Sequence, residues 1–396
     1  MRRLLHPVSL VALLLCPFDQ PIAADMSGKV GLEGRWFGNE ALGSAQQQSG
    51  LSLTFEPELY HDWSEGDERF VVVPFLRYDG SDEDRTHVDL RELYWRRSFA
   101  SADLYVGLRK VFWGVTESVH LVDIINQTDW VENPDAEDKL GQPMIQLTLL
   151  RDWGTVDLYL MAGFRPRTFA GVEGRFRPPL PVKDQPRYEA DLERWHPDVA
   201  LRWSHILGDI DLGVGHFYGS SREPRFDLEA SAHGAKLRPI YDLLHQTSLE
   251  LQYVRGDGLY KLEAVHRDGY DGRSTAAVGG LEYTFVGLAS TSVDFGLVAE
   301  AQYDNRDLPF PPVADRDIAI GGRLTFNDVQ DTDVLAFTAM DTDQGTQFTS
   351  LEANRRWRDT GEIRLEARIF TSVDARDPLY AFRRDDYLQI EYVHYF

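Results

Sequence analysis

Apolar and polar residues alternate with a period of two along most of this chain. Between residues 362 and 371, four apolar side chains (Ile363, Leu365, Ala367 and Ile369) alternate with four charged ones. Residues 247–254 and 292–304 show the same alternation. A period of two places the two sets on opposite faces of a β-strand. The pattern therefore predicts strands that each have one apolar and one polar face.

Eighteen segments of this kind are predicted, separated by connections rich in glycine, aspartate and asparagine. They span residues 29–37, 50–59, 69–78, 87–98, 102–111, 143–152, 155–163, 197–205, 210–219, 247–254, 258–267, 275–286, 292–304, 317–326, 333–341, 347–357, 362–371 and 385–396. Alternation is less regular near residues 94–95 and 103–110, which leaves sixteen strands as the alternative.

The connections between these segments alternate between short and long. Short ones fall at residues 153–154, 207–209 and 255–257, and long ones at 112–142, 164–196 and 220–246. Antiparallel outer-membrane barrels have short periplasmic turns and long extracellular loops. The sequence therefore predicts an all-β fold, a single closed antiparallel transmembrane β-barrel of about eighteen strands.

The last eleven residues, 386–396, suit the closing strand of such a barrel. Leu388, Ile390, Tyr392 and Phe396 occupy alternate positions, and His394 interrupts them. A final strand that ends on an aromatic residue is typical of outer-membrane barrels, where it also serves as the signal read by the barrel-assembly machinery. We expect Tyr392 and Phe396 to carry that signal.

The first 24 residues have the order of a secretory signal peptide. Arg2 and Arg3 supply positive charge, residues 8–15 are apolar, and small residues precede Asp25. The apolar run is too short for a membrane helix. We therefore expect a signal peptide at 1–24 and the barrel at 25–396, in a protein exported through the periplasm to the Gram-negative outer membrane. The single cysteine, Cys16, lies in the signal, which fits an oxidising compartment.

The formal net charge is −23 and the mean hydropathy is −0.36. No later stretch reaches the ~20 apolar residues of a membrane-spanning helix, whereas a barrel needs only alternate residues to face lipid. The acidic balance argues against nucleic acid as a partner. The sequence suggests neither a cofactor nor a cluster of metal ligands.

The polar strand faces would line the interior of the barrel. This places Glu362, Arg364, Glu366 and Arg368 in one charged stripe, and Lys261 and Glu263 in a shorter one. Arg202 and Arg323 are further candidates for lumen-facing residues. A barrel of this size is wide enough for an aqueous channel unless loops fold into it.

The two long loops differ in charge. The loop at 112–142 contains Val115, Val119 and Val122 at helical spacing, followed by the acids Glu132, Asp135, Glu137 and Asp138. The loop at 164–196 is rich in proline and carries Arg165, Arg167, Arg175 and Arg177. We expect the first loop to fold inward as a constriction, with its carboxylates facing these arginines across the pore. Alternatively, both loops cover the mouth, and the arginines bind lipopolysaccharide phosphates or acids.

Several stretches resemble a family of proteobacterial outer-membrane barrels of unknown function, whose architecture is similar to that of alginate-export-type porins. They are residues 107–114, 121–126 and 138–144, and the run from Ala200 through Gly219 to Ala264. The resemblance covers most of the chain from residue 25 onwards and implies a barrel with a passage function. Alginate exporters have a strongly basic lumen, and this acidic chain differs from them in that respect.

We expect an outer-membrane channel, not an enzyme, for the diffusion or export of small polar solutes, anions among them, or oligosaccharides. Its other partners would be outer-membrane lipid and lipopolysaccharide. One alternative is a gated transporter of hydrophobic compounds. Another is an enzyme such as an outer-membrane phospholipase, for which His205 beside Ser204, or His245 near Ser248, would have to form a catalytic pair.

Overall fold

The computed structural model describes residues 25–231, 234–270, 272–306 and 314–396, so the predicted signal peptide lies outside the described residues. Within them the regular secondary structure is almost entirely β-strand. The first ten strands are β1 (Asp25–Phe37), β2 (Ser49–Trp63), β3 (Glu68–Asp79), β4 (His87–Phe99), β5 (Ala102–Arg109), β6 (Gln142–Arg151), β7 (Gly154–Met161), β8 (Arg187–Tyr188), β9 (Asp198–Leu207) and β10 (Ile210–Ser220).

Eleven further strands follow along the chain. They are β11 (Arg225–Ser231), β12 (Gly234–Tyr241), β13 (Leu243–Arg255), β14 (Gly258–Gly269), β15 (Gly272–Phe285), β16 (Asp294–Asp304), β17 (Asp317–Thr325), β18 (Asp333–Asp341), β19 (Gln347–Trp357), β20 (Gly361–Thr371) and β21 (Tyr387–Tyr395). Four short 3-10 helices lie at Ser64–Gly66, Glu193–Trp195, Leu288–Ser290 and Pro378–Phe382. No helix in the described part of the chain is long and apolar enough to cross a membrane.

Eighteen of these strands form one antiparallel sheet that closes on itself. Each barrel strand pairs with the next one in the chain, and β21 pairs with β1, with Lys29 opposite Tyr395 and Phe37 opposite Tyr387. Backbone hydrogen bonds of 3.0 and 3.1 Å between Gly28 and Phe396 extend this pairing of β1 with β21, called the seam below, to Phe396. The prediction of a closed eighteen-stranded barrel is confirmed, and the sixteen-strand alternative is wrong.

The two faces of the barrel wall differ as the alternation predicts. On β1, Leu32 is 54% exposed on the outer face, whereas the neighbouring Glu33 is 4% exposed on the inner face. Leu51, Leu53 and Phe55 continue the exposed apolar outer face on β2. The wall is therefore apolar outside and polar inside, as expected for a barrel in a bilayer.

The connections divide the barrel into a turn end and a loop end. The β6–β7 and β13–β14 turns are two residues each, and Gly28, near the beginning of β1, meets Phe396 at the same end. The opposite end carries the long loops. There β11 and β12 form a hairpin, and β12 pairs in parallel with β8, so the loops build a small sheet that the sequence analysis did not predict.

The loop between β5 and β6, residues 110–141, folds into the barrel and is called the inward loop below. It contains no helix, so the helical spacing of its valines was misleading. Its apolar residues Trp113, Val122 and Ile125 are instead buried against the inner wall, where they pack with Met161 and Phe217 in one apolar cluster. This packing holds the loop inside the lumen.

Candidate functional site

The inward loop is held on one side of the lumen by Glu263, on the inner face of β14. The Glu263 carboxylate accepts hydrogen bonds from the backbone N–H of Val115 at 2.7 Å, of Thr116 at 3.0 Å and of Val122 at 3.2 Å. It also accepts one from the Thr116 hydroxyl at 2.7 Å. The carboxylate therefore satisfies loop N–H groups that a helix would have bonded internally.

Glu300 on β16 holds the next part of the loop in the same way. It accepts hydrogen bonds of 2.8 Å from the backbone N–H groups of Glu117 and Ser118. The Glu117 side chain in turn accepts one from Arg323 of β17 at 2.8 Å. Because β5 and β16 are well separated around the barrel, the loop crosses the lumen to reach these partners.

The later part of the loop is held at the opposite wall by arginines. Glu132 forms a salt bridge of 2.7 Å with Arg77 of β3, which also pairs with Glu33 of β1 at 3.0 Å. Arg85, in the β3–β4 connection, pairs with Glu33 at 2.7 Å and donates to the Glu132 carbonyl oxygen at 3.0 Å. All four side chains are buried, so this network fixes the loop firmly to β1–β4.

Asp135 lies against β20, which is between β16 and β1 around the barrel. Its Oδ2 is 3.5 Å from an Nη atom of Arg368 and accepts a hydrogen bond of 2.7 Å from Asn133. Burial, and next the negative charge of Glu366, raise the pKa of Asp135 to about 7. This loop position therefore gains negative charge near neutral pH.

Two further loop groups titrate away from their ordinary ranges. Burial lowers the pKa of His120, but the nearby carboxylates of Glu137 and Glu263 outweigh burial and raise that pKa to about 9. Burial, and next Glu132, raise the pKa of Asp138 to about 6. The protonation of the inward loop thus changes across the physiological range.

The arginines of the 164–196 loop contact groups other than the four acids of the inward loop. Arg165 pairs with Asp89 of β4, and Arg175 pairs with Asp385 at 2.7 Å. Arg167 donates to the carbonyl oxygen of Arg222 at 3.0 Å, and Arg177 donates to that of Val172 at 3.1 Å. Glu132 instead pairs with Arg77, Asp135 with Arg368, and Glu137 with His120. The structure thus brings the predicted acids to the lumen wall but does not place these arginines opposite them in ion pairs.

Two of the arginines border a cavity of about 650 Å³ at the loop end, called the vestibule below. Its charged lining consists of five basic residues and two acidic ones, namely Arg167, Arg177, Lys183, Lys236 and Arg238 against Asp84 and Asp184. Lys183 and Arg238 pair with Glu229, so part of the charge is neutralised. Burial lowers the pKa of Arg167, which indicates a guanidinium with little compensating negative charge.

The predicted lumen-facing residues all lie on the inner face. Glu362, Arg364, Glu366 and Arg368 follow one another along β20, and Lys261 with Glu263 lies on β14. Arg202 forms a salt bridge with Glu250 at 2.8 Å, and Arg323 bonds to the inward loop as described above. Much of the inner charge is therefore paired within the wall or with the loop, and its role in solute passage stays a prediction.

One group of possible metal ligands was not predicted from the sequence. Ligand atoms of His87, Asp129 and Glu132 all lie within 4.8 Å of one another. Arg91 pairs with Asp129, and Arg77 pairs with Glu132. These guanidinium groups already neutralise the carboxylates, so we assign no ion to this group. His87 precedes Asp129 by 42 positions, so no local pattern in the sequence connects these residues.

In both candidate serine–histidine pairs, the two side chains lie on opposite faces of the sheet. Ser204 and His205 are neighbours on β9, so their side chains point to opposite faces. On β13, Ser248 is buried on the inner face, whereas His245 is exposed on the outer face. Neither pair has the side-chain contact that activation of a serine requires.

Comparison with solved structures supports the architecture. OccK11 (OpdR) of Pseudomonas aeruginosa has a TM-score of 0.52 at 12% identity, with 94% of this chain and 95% of that chain covered. A mutant of the Rh. blastica porin has a TM-score of 0.47 at 10% identity, with 94% and 100% covered. The chain shares the barrel fold of OccK11. No protein-family model matches the chain, and no curated protein matches it, so the resemblance to alginate-export-type barrels stays a prediction.

Proposed function

We propose that this protein is an outer-membrane channel through which small polar solutes diffuse. The observation that carries the proposal is the inward loop, which crosses the polar interior of a closed barrel and is fixed to both walls. A constriction of this kind limits the size of solutes and sets the charges that they meet. The wide barrel supplies the passage, and the loop supplies the selectivity.

The exposed surface supports a location in a bilayer. Leu32, Leu51 and Val88 are 54%, 63% and 75% exposed on the outer faces of β1, β2 and β4. In a closed barrel, the backbone N–H and C=O groups form hydrogen bonds between neighbouring strands, so none of them is left unpaired in lipid. The apolar side chains of the outer face are the part of the wall that contacts lipid. We therefore place the barrel in the Gram-negative outer membrane, with the loop end outside.

The vestibule favours anionic solutes. Its basic residues exceed its acids, although the whole chain is strongly acidic, so the local charge opposes the global one. An anion that enters from the loop end would meet Arg177 and Lys236 before it reaches the inward loop. Electrostatic attraction of this kind raises the local concentration of anions at the mouth. Oligosaccharides and the direction of transport remain hypotheses within this proposal.

The packing of the inward loop argues against the gated transport of hydrophobic compounds. Val122 and Ile125 of the loop are fully buried against the barrel wall. They are therefore occupied in holding the loop and do not line a passage for apolar molecules.

Conductance across planar bilayers tests the proposal. Purified protein should give discrete conductance steps, and the reversal potential in a salt gradient should report the ion preference. A protein that inserts in the bilayer but conducts no ions would contradict the channel function. The test requires no knowledge of the natural solute.

The contribution of the vestibule can be measured with a charge-matched pair of variants. Arg177→Gln with Lys236→Gln removes two lining charges, and we expect the reversal potential to shift towards cation preference. Arg255→Gln with Arg273→Gln removes two charges outside the vestibule lining and should leave the potential unchanged. Equal shifts in both double variants would show that only the overall charge matters.

A further inference from the structure

A second cluster of charge, away from the inward loop, lies at the loop end of β17 and β18. Asp317 begins β17 and Asp341 ends β18, and the two residues are directly paired across the sheet. Asp315 lies in the connection before β17, and Asp377 lies in the loop between β20 and β21. These four residues, called the aspartate cluster below, come from three separate connections of the barrel.

Burial distinguishes this cluster from ordinary surface acids. Asp317, Asp341 and Asp377 are 8%, 5% and 5% exposed. Other acids nearby have cationic partners: Asp343 pairs with Arg316 at 2.8 Å, and Asp374 with Arg376 at 2.8 Å. For the four members of the cluster, the described residues provide no such ion pair. Buried carboxylates without a cation are costly, because desolvation and mutual repulsion act together.

One carboxylate oxygen in the cluster has no hydrogen-bond partner. Oδ1 of Asp317 is buried and makes no hydrogen bond with any described residue. Its neighbours within the cluster are themselves acceptors, so they cannot satisfy it while all are ionised. An unsatisfied buried acceptor surrounded by carboxylates is the environment that a bound cation resolves.

Hydrogen bonds between neighbouring connections bring the loop members of the cluster close to the paired strand ends. The backbone N–H of Asp341 donates to the carbonyl oxygen of Thr346 at 2.9 Å, and the Thr346 hydroxyl accepts from the backbone N–H of Asp374, three residues before Asp377, at 3.2 Å. The backbone N–H of Thr342 donates to the carbonyl oxygen of Arg316, the residue after Asp315, at 2.9 Å. The three connections therefore meet at the strand ends that carry the buried pair.

We propose that the aspartate cluster binds one Ca²⁺ ion and thereby ties together three connections at the loop end. The potential ligands are all oxygens, which hard cations prefer, and Ca²⁺ accepts irregular carboxylate geometry more readily than Mg²⁺ does. Among the described residues, no three of these carboxylates have ligand oxygens within 4.8 Å of one another. Binding would therefore draw them together by rotation of the side chains.

Calorimetric titration of the purified, chelator-treated barrel in a non-ionic detergent tests this proposal. We expect one Ca²⁺ per chain, with a dissociation constant on the order of 10⁻⁴ to 10⁻³ M, the range of extracellular calcium modules. Ca²⁺ should also raise the melting temperature of the barrel. Absence of saturable binding, or equal binding of Mg²⁺, would overturn the assignment.

Two substitutions separate a site from general attraction to an acidic protein. Asp317→Asn should weaken Ca²⁺ binding at least about tenfold, since it removes a charged ligand. Asp343→Asn, at the same rim but on an acid already paired with Arg316, should bind Ca²⁺ as the unaltered chain does. If Asp317→Asn stabilises the barrel at neutral pH while Ca²⁺ has no effect on either protein, the cluster is neutralised by protons alone and the proposal is wrong.

Discussion

At the scale of single residues, Glu263 of β14 accepts four hydrogen bonds from the inward loop. A buried carboxylate that accepts several backbone N–H groups replaces the hydrogen bonds of a helix, and each charge-assisted bond contributes about 1.5–3 kcal/mol. Gly114 permits the close approach: it has a φ of +145°, and a Cβ there would lie 3.2 Å from Oε1 of Glu263. The position of the loop therefore depends on a few specific atoms.

Replacing Glu263 with Gln should loosen the start of the inward loop without opening the barrel. The amide keeps one acceptor oxygen but loses the charge, so we expect backbone amides of residues 115–122 to exchange about tenfold faster or more. Single-channel current should become noisier. Glu282→Gln, on the neighbouring strand but in a pair with Lys261, provides the control. Unchanged exchange in the Glu263 variant would show that apolar packing alone holds the loop.

At the scale of elements, the inward loop is a segment whose anchoring depends on pH. The pKa of Asp135 is about 7, above its ordinary value of 3.8, so the folded protein binds this proton more tightly than the unfolded chain does. The contribution of Asp135 to stability therefore falls as pH rises from about 4 to 7 and then levels off. Above pH 7, ionised Asp135 repels Glu366 and weakens the contact between the loop and β20.

Hydrogen exchange at two pH values checks this prediction. After correction for the intrinsic rate, amides near Asp135 should be more protected at pH 5 than at pH 8. Asp135→Asn should reduce the difference, because the amide does not titrate, and Asp138, whose pKa is about 6, should account for what remains. Residues 115–118 provide an internal reference, because their hydrogen bonds to Glu263 and Glu300 are independent of Asp135. An equal effect of pH on the exchange of residues 115–118 and of the amides near Asp135 would show that Asp135 is not the group responsible.

The positions of the barrel strands could be predicted from the sequence, but the contacts between distant residues could not. All eighteen barrel strands were predicted, because alternation is a local property that each strand carries by itself. The hairpin of β11 and β12 was missed, although Phe226, Leu228 and Ala230 do alternate with charged residues and could have revealed it. The inward course of the loop was expected from its apolar residues, but its partners were not. Val115 and Glu263 are 148 positions apart, and no local pattern connects them.

At the scale of the whole molecule, closure of the barrel depends on the seam between β1 and β21. A barrel without this seam would expose two strand edges with unpaired backbone groups, which is unfavourable in lipid. The aromatic ring of Phe396 stacks on Phe55 of β2, with ring centroids 6.0 Å apart. The final residue therefore contacts the second strand of the chain as well as the first, and its contribution to closure is structural.

The structural role of Phe396 can be separated from its predicted role as an assembly signal. Loss of an exposed aromatic pair costs about 1 kcal/mol, so Phe396→Ala should fold spontaneously into thin lipid vesicles almost as well as the unaltered chain. If the barrel-assembly machinery reads the terminal aromatic, the same variant should insert several-fold more slowly when that machinery is present. Phe99→Ala, an exposed aromatic at the turn end of β4, should insert normally in both assays. Gel migration before and after heating measures the folded fraction, and equal insertion of both variants by the machinery would refute the signal role.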